Sequence, residues 1–133
     1  MNSFSRLANA RGISTVELIV VLPAILLVLF ASVEFSRAWL TLNLVTTAAR
    51  EAARAGSVAA ASQFPNPPTA VQRIDEILGV GAWTGDVICT ATPCVADAEV
   101  RADVSVAFTT MVPAILPMLQ SLSIQQTARM RYE

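Results

Sequence analysis

The chain has 133 residues, 54% of them hydrophobic and only 14% charged, with a net charge of −1 and no lysine or histidine. That length allows one small domain at most, and the absence of a clustered positive field excludes nucleic acid as an expected partner. Without histidine and with two cysteines the common zinc sites and imidazole base chemistry drop out, and no GxSxG, phosphate loop or dinucleotide fingerprint is present, so neither an enzyme nor a bound cofactor is expected.

Met1 to Gly12 is polar, carries Arg6 and Arg11 and has no acidic residue, as expected of a leader held in the cytoplasm. Arg37, Arg50 and Arg54 on the far side of the next segment nearly cancel that charge bias. From Leu18 to Val33 no charge occurs, and only Pro23 and Ser32 interrupt the apolar run. Extended back to Ile13, it reaches about twenty residues, enough for the bilayer's ~30 Å hydrocarbon core. A membrane-spanning segment is predicted over 13–33. Pro23 removes one intrahelical hydrogen bond, which either kinks the helix where subunits pack or is passively tolerated. Glu17 stands at the entrance of this run, where an unpaired carboxylate is costly.

Helical spacing continues past the membrane, with Phe35, Ala38, Leu42, Val45, Ala49 and Ala52 on one stripe and Arg37, Thr41, Arg50 and Arg54 mostly elsewhere. The predicted helix runs from about Ile13 to Ala55, stopped by Gly56, so that 34–56 continues the anchor outside the membrane. Glu34 and Arg37 are expected as a solvated surface pair. The alanines at 48, 49, 52, 53 and 55 permit close approach by the head's own sheet or by a second subunit.

Residues 57–133 form a small head. Ser57 to Pro68, ending in FPNPP, reads as a linker. Thr69 and Gln72 have the spacing of a capping box, opening a short helix with Val71, Ile74, Ile77 and Leu78 inside, Arg73, Asp75 and Glu76 outside, and Gly79 at its end. Cys89 and Cys94, in CTATPC, suit a disulfide in an oxidising compartment, with the reduced pair as the alternative. Val100, Ala102, Val104, Val106 and Phe108 alternate with polar residues, as do Leu122, Ile124, Ala128, Met130 and Tyr132. These predict two antiparallel strands, joined by the apolar segment MVPAILPML, which either completes the core or meets a partner. Asp86, Asp97, Glu99 and Asp103 do not follow the spacing of a calcium loop, so no metal site is expected. The fold class is α+β: a long N-terminal membrane-spanning helix running into a small head with one short helix and an antiparallel sheet.

Three fates fit the leader: removal at a signal-peptide site, for which LFASVEF is a poor match, retention as a plain anchor, or a third that the residues themselves suggest. Gly12 is preceded by arginine and followed by ISTVE, with the glutamate at the fifth position after the glycine. This resembles the type IV prepilin cleavage motif, and the resemblance implies a cut between Gly12 and Ile13 by a prepilin peptidase, with the apolar helix left in place. VELIVVLPAILLVLFASVEFSRAWL followed by TTAAREAARAGS, with Glu17, Pro23, Glu34 and the segment AAREAAR, resembles the TadE-like family, as more weakly does the closing TARMRYE.

That resemblance implies a minor pilin or pseudopilin of a tight-adherence (Tad, Flp) pilus involved in assembly, initiation or adhesion. Its implied partners are the prepilin peptidase, sister pilins, an inner-membrane assembly platform and the lipid bilayer. It also implies that Glu17 meets the amine of Ile13 on a neighbouring subunit, the alternative being that Glu17 snorkels to the interface. Location follows: inner membrane, N-terminus in the cytoplasm, head in the periplasm or on an extracellular pilus. The competing reading is a permanently anchored periplasmic accessory protein that never polymerises.

Overall fold

The computed structural model describes residues 4–111 and 122–133, and within them the side chains from Thr15 onward. Helix α1 (Phe4–Ser57) is followed by a 3-10 turn at Ala61–Gln63, helix α2 (Pro68–Leu78), and strands β1 (Thr84–Cys89), β2 (Glu99–Phe108) and β3 (Leu122–Arg131). The α+β class expected from the sequence is therefore observed. The chain falls into two compact units, residues 1–36 and 37–133.

The first unit is helix throughout its described residues. Every side chain from Thr15 to Val33 is exposed, so no protein core holds this stretch in shape. Helix is the conformation that satisfies each backbone N–H and C=O internally, which an apolar solvent demands of a single spanning segment. Pro23 lies inside α1. The helix begins nine residues before the predicted start at Ile13 and passes through Gly12, whose cost in a helix interior is only about 1 kcal/mol.

In the second unit α1 and α2 cover one face of a three-stranded antiparallel sheet of order β1-β2-β3. The register sets Val87 opposite Ala102 and Ala102 opposite Ala128, so these side chains share the covered face. Val45, Ala48, Ala49, Ala52 and Ala53 of α1, Ala70 and Ile74 of α2, and Val87, Val100, Ala102 and Val104 of the sheet make one buried cluster. Burying each of the three strand valines stabilises the head by roughly 1.5–3 kcal/mol. Small residues on α1 bring its backbone close to the strands. Gly56 is the extreme case: it is buried inside the helix, and a Cβ there would lie 3.0 Å from a Val100 methyl and 3.2 Å from one of Val87. Its role is close approach, which corrects the reading of Gly56 as the helix stop; α1 ends one residue later.

The α1 stripe also shifts. Val45, Ala49 and Ala52 are buried as expected, but Phe35 is 71% exposed, and Arg37 and Thr41 are half-buried. Glu34, expected in solvent, is only 6% exposed. In α2 the Thr69/Gln72 capping box does not form: the helix starts at Pro68 with no side-chain cap, and the Gln72 amide donates to Glu76 instead at 3.0 Å. Asp75, expected on the wet face, accepts a hydrogen bond from Trp83 Nε1 at 2.8 Å.

The predicted linker is built into the head. Asn66 N donates to the carbonyl of Val87 at 2.8 Å, Val87 N donates to Asn66 Oδ1 at 2.7 Å, and Asn66 Nδ2 donates to Asp86 at 3.0 Å. Asn66 thus occupies part of the free edge of β1, a strand that sequence patterning had not predicted. At the other terminus Tyr132 donates its hydroxyl to the carbonyl of Ala59 at 2.7 Å, and Glu133 N donates to that of Ser57 at 3.0 Å. These bonds tie the last residues to the end of α1.

Candidate membrane and assembly site

Gly12, Ile13, Glu17 and Pro23 all lie on α1, so the helix alone sets their spacing. Gly12 and Ile13 fall in the part whose side chains are not described. Glu17 is exposed and takes part in no hydrogen bond or ion pair among the described residues. Around it Val16, Leu18, Ile19 and Val20 are each more than 60% exposed. A carboxylate in such surroundings has two stable environments, water at the interface or a cation brought by another chain.

Beyond Glu17 the surface of α1 has the character of a lipid-facing helix, and it is long and apolar enough to cross a membrane. Leu22, Ile25, Leu27, Val28, Leu29 and Val33 are all about half exposed or more. Its hydroxyls are satisfied within the helix: Ser32 donates to the carbonyl of Val28 at 2.8 Å, and Ser36 to that of Ser32 at 2.9 Å. Such back-bonding lets serine face an apolar medium without an unpaired donor. Thr41, Thr46 and Thr47 repeat the pattern onto Arg37, Leu42 and Asn43. Sequence reasoning passed over these hydroxyls, although their position in or beside an apolar helix was the available signal.

Arg37 opens the second unit. Its guanidinium lies 5.5 Å from the centre of the Phe108 ring and donates to the carbonyl of Thr109 at 3.5 Å, a long contact. The cation and the ring thereby join the start of the head's helix to the end of β2.

Cys89 and Cys94 form the expected disulfide, with Cα atoms 5.8 Å apart, and close a short loop after β1. The acidic residues considered as calcium ligands are dispersed among separate partners: Asp86 with Asn66, Asp97 with Arg131, Glu99 with Arg129, and Asp103 with Arg101 and Thr127. A groove of about 700 Å³ beside the end of α1 is lined by Glu51, Arg54, Val58 and Arg73 among others. Arg73 there already pairs with Glu76 at 2.8 Å. The segment MVPAILPML lies outside the described residues after its first methionine.

Comparison with known families matches residues 12–54 to the TadE-like protein family. The matched stretch holds Gly12, Glu17, Pro23, Glu34 and the AAREAAR segment, and it ends before the head and the closing TARMRYE. No curated protein and no solved structure matches the chain. Over residues 12–54 the chain is similar to the TadE-like protein family, and that stretch lies on the same helix that carries the exposed apolar surface.

Proposed function

We infer that the chain is a minor pilin or pseudopilin of a Tad-type pilus, cut between Gly12 and Ile13 by a prepilin peptidase and then taking part in assembly or initiation. The observation that carries this reading is Glu17: an exposed carboxylate on a lipid-type helix, five residues after Gly12, with no partner among the described residues. Left alone in hydrocarbon it would cost several kcal/mol. Cleavage creates an α-amino group at Ile13, and the amine of a neighbouring subunit supplies the missing cation. The pairing sets the axial register between helices. The Cys89–Cys94 disulfide supports a head in the periplasm and a leader in the cytoplasm, because disulfides persist in oxidising compartments.

Intact-mass measurement of protein recovered from its native membrane tests the reading. A mature chain beginning at Ile13 is expected. Retention of Met1 to Gly12 in functional protein would overturn it in favour of a permanent anchor. Separate substitutions extend the test: a bulky residue at Gly12 is expected to block processing, and Glu17→Ala to leave processing intact while abolishing incorporation into pili.

A further inference from the structure

We propose that the membrane-proximal end of the head rests in the headgroup layer of the phospholipid bilayer, held there by Trp39, Leu40, Met111 and Leu122. This deepens the membrane-anchored reading and rests on it.

Trp39 is 57% exposed, Leu40 60%, Met111 69% and Leu122 45%. They belong to one end of the head. The Arg37 guanidinium sits over Phe108, and Phe108 pairs in register with Leu122, so the early turns of the head's helix, the end of β2 and the start of β3 lie together. Charge is segregated along the same axis. Residues 38–49, 104–111 and 122–128 contain no charged side chain. The ions of β2 and β3 are gathered at the opposite end, where Glu99 pairs with Arg129 and Asp97 with Arg131. An apolar, uncharged end with tryptophan and arginine on it is the composition of a membrane–water interface, where the indole keeps its ring in the acyl boundary and the guanidinium reaches phosphate.

Chain order agrees: Trp39 follows the span predicted over 13–33 by six residues, about 9 Å at 1.5 Å per residue, close to the depth of a headgroup layer. Within the second unit's part of α1, Arg50 is the first fully exposed charge. Trp39 and Leu40 are the exposed apolar residues of the head that follow the span most closely in the chain.

The test uses the full-length chain in vesicles of phosphatidylethanolamine and phosphatidylglycerol. With Trp83→Phe, Trp39 is the sole tryptophan, and bromine placed on the acyl chain near the headgroup is expected to quench its emission on the order of twofold, with less quenching by bromine near the chain end. A photoactivatable residue at Leu40, in an otherwise native chain, is expected to cross-link to lipid and serves as a second measurement should Trp83→Phe unfold the head. Unquenched Trp39, or cross-linking of position 40 to a second copy in place of lipid, overturns the proposal. A chain whose sole tryptophan is Leu26→Trp, made with Trp39→Phe and Trp83→Phe, separates the two levels. If position 26 is quenched and position 39 is not, the helix spans the membrane and the head stands clear of it. If neither is quenched, the membrane-anchored reading fails as well.

Discussion

Gly85 gives the sharpest test of how the head is built. It sits in β1 at φ +139°, and a Cβ placed on it would lie 2.0 Å from the carbonyl oxygen of Asp103 and 2.9 Å from the carbonyl carbon. The obstacle is backbone of the central strand, fixed by pairing on both sides, so it cannot swing away as a side chain could. Gly85→Ala therefore combines a backbone region that L-residues rarely occupy, about 1–3 kcal/mol, with an overpacking cost of about 1–3 kcal/mol as β1 is pushed off β2. Their sum, about 2–6 kcal/mol, is a large part of the roughly 5–15 kcal/mol that holds a domain together, and a small head sits near the lower limit. Gly81 is the control, at φ +75° with open space where its Cβ would go. Gly81→Ala carries only the conformational part, about 1–2 kcal/mol. Urea unfolding of the full chain in detergent, followed by tryptophan fluorescence, measures both, with an equal slope licensing the comparison. If Gly85→Ala costs no more than Gly81→Ala, the close strand approach at Asp103 is refuted.

Cys89→Ser with Cys94→Ser is expected to destabilise the head by about 2 kcal/mol by the chain-entropy account of so short a loop, seen as a lower urea midpoint than the oxidised protein. Tyr132→Phe removes the hydroxyl bond to Ala59 and leaves that carbonyl without this partner; a loss of about 1 kcal/mol is expected in the same assay. Arg37→Leu forfeits the cation over Phe108 and is expected to cost about 0.5–1 kcal/mol. By contrast, Arg129→Ala and Arg131→Ala break pairs that are largely exposed and 3.4 Å long, and thermal unfolding is expected to move little, within about 0.5 kcal/mol.

The helix, the two long strands and the disulfide were legible because each rests on short-range information. Period 3.6 marks α1 and α2, period 2 marks β2 and β3, and two cysteines leave one intramolecular pairing. β1 was not legible: TGDVIC buries only Val87 deeply, and its outer edge is satisfied by Asn66, twenty-one residues away, a contact that no local pattern announces. The Thr69/Gln72 pair failed as a capping box because Pro68, with its preset φ and missing N–H, starts the helix at the preceding residue.

Of the candidate site, Gly12, Ile13, Glu17, Pro23 and the 13–33 span were named from order along the chain, since a helix in an apolar medium needs no tertiary partner to form. What the sequence by itself determined is thus a helix apolar and long enough to cross a membrane, the spacing of residues along it and its resemblance to a TadE-like segment. Only the tertiary structure decided that Gly56 serves close approach, that Glu34 is hidden, and that Trp39, Leu40, Met111 and Leu122 gather at one end of the head. The reason is physical: exposure and proximity between residues seventy positions apart depend on strand register and helix packing, which one segment's composition does not contain.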